Sequence, residues 1–550
     1  MTIREREGRR RPGRTLAALA IASFLLCGLF RYTDAAARKV VRIAYEEQET
    51  LDPHVGILGQ TQASLRILYR GLTRFAIREV TETAPDGTEV VKRRVTTTEV
   101  EPDLAESWTV SEEGTVWTFR LRQGVRFHKG YGELTGEDVK YSFERQMQRQ
   151  RGMRFAKNLD VIQDITVPDP HTVRITLKQY DPVFPMRMVG YQQGYIVSRK
   201  AALEHGEQFG WNPVGTGPFY FHRRLPREKI VFKAFADYHD GRPPVDEIHW
   251  FDVPEDATKL IGLEKGTFDI AMPNLVTADI KRQVEAMGAV LDERGPSGQF
   301  RIYFNVERAP FHDIRVRQAF MHAIDRRAIV DTLWPEGLGV VATSPLPPGY
   351  FGHTPVEAPA YDPGRARQLL AQAGYPDGLT IRDYFITKSY GYPKIMIMVQ
   401  EQLKRVGVDL QLQLVEHPTY HRNIRSNLNP FVLYGGTRLT DGDVMLSLLF
   451  HSSEAPDPAT GNQGTNFAHY SGIDYLLEEG RRTRDRDRRA ALYHEAQRRI
   501  MDDAVCLPIV DIPSRSIRHP GRVSSPFDPR FGEYAIHNFY TYPELFDVVE

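Results

Sequence analysis

The chain has 550 residues, and its 71 Lys and Arg are balanced by 71 Asp and Glu. With 41% hydrophobic, 26% charged and 11% aromatic residues, it has the make-up of a folded protein of about three domains. Zero net charge argues against a polyanion-binding protein, and two cysteines can build neither a disulfide framework nor a thiolate metal cage.

The first residues carry an uneven share of that charge. Arg4, Arg6, Arg9, Arg10, Arg11 and Arg14 precede an uncharged run from Thr15 to Phe30, and Ala35-Ala36-Ala37 follows. A basic region, an apolar region and a small-residue site spell a secretory signal peptide, residues 1–37. The apolar run is shorter than the ~20 residues that span a bilayer, so a retained anchor is the second reading. Phe24, Leu25 and Leu26 before Cys27 are too large for a lipoprotein signal. Residues 1–37 hold seven arginines and three acidic residues, so the rest of the chain is mildly acidic. Its one cysteine, Cys506, lies in an apolar stretch and is expected to be a small buried hydrophobe.

Beyond residue 37, strand-like alternation and helical periodicity interleave, which predicts an α/β class of mixed α+β lobes. Residues 81–100 read as an exposed hairpin or loop insertion. Trp117, Phe119 and Leu121 alternate with Thr118, Arg120 and Arg122, and Gln123-Gly124 predicts a hairpin into Val125–His128. Thr135-Gly136-Glu137-Asp138 is a capping-box-like start for a helix carrying Val139 and Phe143. Ile165 and Val167, Pro168-Asp169-Pro170, then Val173, Ile175 and Leu177 predict a second hairpin. Val316–Trp334 reads as one helical stripe. Tyr361-Asp362-Pro363 opens another helix, with Gly374 past its end.

Six motifs follow one another in an order that resembles the large extracellular solute-binding proteins of peptide and nickel ABC importers, the dipeptide- and oligopeptide-binding family. They are Leu51-Asp52-Pro53-His54 with Leu68–Leu72, Pro102–Trp108, Trp117–His128, Glu137-Asp138-Val139, Gly215–Phe219, and Phe304-Asn305 with Val316–Phe320 and Ala323–Arg326. The resemblance implies a large bilobed periplasmic-binding-protein clamp with an extra inserted lobe. Lobe I would combine residues 38–70, 210–300 and 512–550, lobe II would be the insertion 71–209, and lobe III would span 301–511. It implies a monomeric periplasmic receptor that captures a peptide or peptide-like solute and delivers it to ABC permease and ATPase subunits. No enzymatic activity, cofactor or nucleic acid is implied. A sensory or anchored binding protein for an anionic or metal-complex ligand is the alternative, and an exported peptide hydrolase lacks both G-x-S-x-G and H-E-x-x-H.

In that family the ligand backbone is held like an added strand. The resemblance places one rail at Val55, Gly56, Ile57 and Gly59. It places the other in Gly436, Thr437, Arg438, Asp441 and Asp443, but Gly436 stands where the family has Trp and Leu439 where it has the ammonium-pairing Asp. Asp441 or Asp443 takes over that pairing, or Arg438 faces an anionic group, or all three are solvated loop charges. Tyr45, Tyr191, Tyr303 and Tyr434 are further candidates for stacking on ligand. Gly215-Thr216-Gly217 reads as a tight crossover, His417 and His421 as a helix start with no third metal ligand nearby, and His494-Glu495 lacks the second His of a zinc-protease motif. Asn305, Arg317 and Asp325 are expected to be structural hydrogen-bonders.

Overall fold

The computed structural model describes residues 38–56, 59–83, 88–148, 156–273, 276–389, 391–436, 441–525 and 542–549. The predicted signal peptide lies outside them. Strand β1 (Val40–Tyr45) opens the main body. Strands β2 (Thr73–Thr83) and β3 (Glu89–Pro102) form the expected hairpin. Strands β4 (Ala105–Val110), β5 (Val116–Leu121), β6 (Ile162–Asp169) and β7 (Thr172–Leu177) form a four-stranded sheet in the order β4-β5-β7-β6. The β6–β7 hairpin is the second one predicted.

The first predicted hairpin does not form: β5 pairs with β4 and β7, and Val125–His128 leaves the sheet. Val125 and Phe127 are buried, and the His128 ring bonds the Gly217 carbonyl at 2.9 Å and accepts from Gly215 N at 3.3 Å. The segment therefore anchors the Gly215–Gly217 crossover instead of extending a ladder. In that crossover, a Cβ at Gly217 would lie 2.5–2.7 Å from backbone atoms of Ile67 and Leu68.

The chain continues with β8 (Phe219–Leu225), β9 (Lys229–Ala234), β10 (Glu247–Asp252), β11 (Ile270–Ala271) and β12 (Val290–Phe304). After β13 (Val340–Val341) and the parallel pair β14 (Leu379–Thr387) and β15 (Val408–Val415) come β16 (Phe431–Gly436) and β17 (Cys506–Arg518). A nine-stranded sheet runs β16-β12-β17-β11-β1-β10-β9-β8, with β13 on β17.

Two large cores flank this sheet. One is built from residues between 41 and 272 plus Val444, Val523, Tyr542 and Phe546, and the other from residues between 276 and 510. The long strands β12 and β17 belong to both ends. Their register shifts around Pro296 and Gly298, between the part of β17 that meets β11 and the part that lies in the second core.

Helix capping follows the sequence closely. Thr135 and Asp138 form the capping box of helix Gly136–Met147, with Val139 and Phe143 buried. Asp362 caps helix Pro363–Gln372, with Pro363 in its first turn, and Gly374 follows at φ +94°. The stripe 316–334 is two helices, Ile314–Ala323 and Arg326–Leu333, because the Asp325 side chain accepts from Ala328 N at 3.0 Å and starts a second helix. Asn305 and Arg317 are structural as well: Asn305 bonds Asn427, and Arg317 donates to the carbonyls of Phe311 and Asp503. Cys506 is buried, which pushes its thiol up to about 12.

Candidate functional site

Parallel strands β1, β10 and β11 end side by side at Tyr45, Asp252 and Ala271. Ligands of open α/β sheets gather outside such carboxyl ends, and the first expected rail emerges there. Its geometry is set by Arg145 on helix Gly136–Met147, a residue the sequence reading passed over. Arg145 donates to Asp52 Oδ1 at 2.9 Å and to His54 Nδ1 at 2.8 Å, while His54 Nε2 meets the Tyr195 carbonyl at 3.1 Å. All three side chains are buried. Burial, then the Arg145 charge, lowers the His54 imidazole to about 4, so it is neutral, with Nδ1 accepting and Nε2 donating.

The Leu-Asp-Pro-His motif is thus a buried anchor, and the loop turns on it. The N–H groups of Val55 and Gly56 both donate to the Asp52 carbonyl, and the Gly56 carbonyl accepts from Gln62 Nε2 at 2.6 Å. Val55 is exposed and Gly56 buried. A Cβ at Gly56 would lie 2.4 Å from Thr61 Cγ2. Gly59 opens helix Gly59–Leu68, and Ile57 lies outside the described residues.

Of the second expected rail, Gly436 ends β16 opposite Gln299, and Thr437 and Arg438 lie outside the described residues. Asp441 and Asp443 begin helix Gly442–Phe450. They are not solvated loop charges, being 3% and 2% exposed. The Asp441 side chain accepts from Asp443 N at 2.9 Å and pairs with Arg489 at 3.2 Å. Asp443 pairs with Arg481 at 2.8 Å, accepts from Ser447 and faces Arg187 at 3.9 Å. Arg187 pairs in turn with Asp181 at 2.7 Å. Burial, reinforced by Asp443, raises the Asp441 carboxyl to about 7 although Arg489 opposes it.

This ion cluster joins parts of the chain that are distant in sequence. Asp181 and Arg187 follow the four-stranded sheet, whereas Asp443 and Arg481 lie beyond β16. Close by in sequence, Arg484 donates to the Glu112 carbonyl at 3.0 Å and lies over the Tyr180 ring at 5.1 Å. Val444, next to Asp443, packs into the core built from residues 41–272. The structure therefore has the two cores in contact across this cluster.

The remaining candidates separate cleanly. Tyr303 and Tyr434 are buried against Phe450 and Phe467, Tyr45 packs on Trp250, and Tyr191 stacks under Arg66. His417 and His421 share one helix face with Nε2 atoms 3.0 Å apart. Among the described residues no group of three or more His, Cys, Asp or Glu is placed to hold a metal. Sequence reasoning also missed Gln48, which is 2% exposed with neither amide atom partnered among the described residues, and the polar face of β12 carrying Gln299 and Arg301. The alternation in Gln299-Phe300-Arg301-Ile302-Tyr303-Phe304 was the available signal for that face.

Two cores joined by a continuous sheet, with an inserted four-stranded sheet and a loop at the carboxyl ends of parallel strands, define a bilobed binding protein. Residues 99–457 match the bacterial extracellular solute-binding proteins, family 5 middle region, and the chain belongs to that family. It is 32% identical over 466 residues to heme-binding protein A of Haemophilus influenzae, covering 78% of this chain and 83% of that one. It is 29% identical to the dipeptide-binding protein of Escherichia coli, over 76% and 82% of the two chains. Among solved structures, MoaA of A. tumefaciens R10 in complex with mannopinic acid superposes with a TM-score of 0.82 at 27% identity, over 94% of this chain and all of that one. The Helicobacter pylori protein DppA, solved with the peptide STSA, has the same fold, with a TM-score of 0.79 at 24% identity over 93% and 99%. The chain is the substrate-binding component of an ABC importer. Its relatives are binding proteins, not enzymes, and among the described residues no helix is long and apolar enough to cross a membrane.

Proposed function

We propose that this chain captures an anionic, peptide-like solute in the cleft between its two cores, as a periplasmic monomer, and hands it to a permease driven by ATPase subunits. The carrying observation is the state of Asp441 and Asp443. Both carboxylates are already neutralised by Arg481, Arg489 and Arg187, so neither is spare for a ligand ammonium. The relatives support the same charge: some are named as glutathione-binding proteins and one as heme-binding, and MoaA holds mannopinic acid. Each of those compounds carries carboxylates. In this reading lobe I (38–70, 210–300 and 512–550) and lobe II (71–209) close against lobe III (301–511). Arg438, Val55 and the neighbouring rail residues would line the cleft. A non-peptide anion is the second reading, favoured by the opine in MoaA.

Thermal shift with glutathione, mannopinic acid, heme, neutral dipeptides and cationic dipeptides tests the proposal. Binding to the native state alone raises its stability by RT ln(1 + [L]/Kd), so glutathione or mannopinic acid should raise the melting temperature by several degrees. A rise with the neutral or cationic peptides only would sink the anionic assignment.

A further inference from the structure

A buried cation without a matching anion costs a protein several kcal/mol, so such groups are normally paired. Arg301 is an exception. It is 2% exposed, on the face of β12 that alternation gives to Gln299, Arg301 and Tyr303. Its Nε donates to Gln299 Oε1 at 2.6 Å and its Nη1 to Tyr303 Oη at 3.2 Å, both neutral acceptors. Its Nη2 is buried with no hydrogen-bond partner among the described residues. Across the ladder from Gln299 stands Asp511, whose carboxylate accepts from Gln299 Nε2 at 2.7 Å and not from the guanidinium. Burial pushes that carboxyl up to about 7, although the hydrogen bond from Gln299 and the Arg301 charge oppose it.

The position of Arg301 is as informative as its pairing. Gln299 faces Gly436 and Arg301 faces Tyr434 across the β12–β16 ladder, so the guanidinium lies beside the end of β16 that leads into the ion cluster. On its other side, β12 shifts register at Pro296 and Gly298, where the sheet passes between the two cores. Gln299 is itself fixed by a second bond, to the Ser344 carbonyl at 2.9 Å, which locks the orientation of the fork it holds.

We propose that the Arg301 guanidinium, held by Gln299 and Tyr303 beside Gly436, is the subsite for a carboxylate of the captured solute. The inference rests on the anionic, peptide-like reading above and names the group that meets the charge. A carboxylate on Nη2 supplies the missing anion through a charge-assisted hydrogen bond.

Isothermal titration of the purified protein tests it, with glutathione and with the dipeptide Met-Leu, each as free acid and with every carboxylate amidated. The wild type should bind at least one free acid about tenfold or more tighter than its amide. Arg301→Gln should bring that ratio below about two by weakening the acid and sparing the amide, and Arg301→Lys should fall between. If Arg301→Gln does not fold, Arg301→Lys decides, since losing the planar fork must cut the ratio about twofold or more. An acid preference that survives both variants means that Nη2 meets only a water, and overturns the proposal. So does equal binding of acid and amide by the wild type, while the peptide-like reading stands. Binding of no probe overturns that reading and the proposal with it.

Discussion

The Asp52–His54–Arg145 cluster shows how much one side chain can carry. Arg145 serves both sides of the turn: it neutralises Asp52 and fills the Nδ1 acceptor of His54. Arg145→Met would leave a buried carboxylate uncompensated and should cost about 3–5 kcal/mol in urea unfolding. Titration in the interior runs in two opposite directions. His54 and His128 are held near 4 by burial, below the ordinary 6.5, so the unfolded chain takes up their protons first and stability falls as pH drops from 6.5 towards 4. Asp441 and Asp511 are raised to about 7. The stability they contribute is complete below about pH 4 and is lost as pH rises through 7. Asn at 511 keeps the acceptor for Gln299 and cannot ionise. Asp511→Asn should therefore be more stable than wild type by on the order of 2–4 kcal/mol at pH 8, with the gap closing towards pH 4, read from urea melts at each pH.

Single elements were legible in the sequence wherever local chemistry decides them. The Thr135–Asp138 capping box and the Asp362-Pro363 helix start stand where the residues placed them, and the β6–β7 hairpin turns at Pro170 and His171, at the end of the Pro-Asp-Pro run. What failed depended on distant partners. Val125–His128 had strand composition, but His128 is bound by Gly215 and Gly217, almost ninety residues away. Asp325 sat inside a helical period, but its N–H is taken by Gln402 Oε1, 77 residues further on, while its side chain caps Ala328 and starts a second helix. The second rail was harder still. Asp441 and Asp443 read equally as ligand partners or loop charges because the arginines that pair with them come from residues 187, 481 and 489. The Gly215–Gly217 crossover tests the same point at element scale. A methyl at 217 would meet only backbone of Ile67 and Leu68, and no rotamer can relieve that. Gly217→Ala should destabilise the protein by about 1–3 kcal/mol without altering Arg301 or the ion cluster, as a lowered urea midpoint with unchanged acid-to-amide selectivity.

At the scale of the whole molecule, the sheet and the contacts divide the labour of a clamp. Strands β12 and β17 give the two cores a continuous backbone connection whose register breaks at Pro296 and Gly298, and Arg187–Asp443 and Arg484 on Glu112 and Tyr180 hold the far sides together. Those contacts exist only when the cores meet, so they set the closed fraction and, through it, the apparent affinity: Kd rises as the competent population falls. Arg484 is the cleaner probe of the two, because it is exposed and bonds main-chain carbonyls, so its loss strands no buried charge. Exposed contacts of this kind contribute about 0.5–1 kcal/mol, and Arg484→Ala should weaken binding of every solute by about two- to fivefold alike. The loss should appear as faster dissociation in stopped-flow, and small-angle scattering should show a larger radius of gyration for the ligand-free variant. A loss confined to one solute would mean that Arg484 touches ligand, and an unchanged radius with weakened binding would remove it from the closing contact.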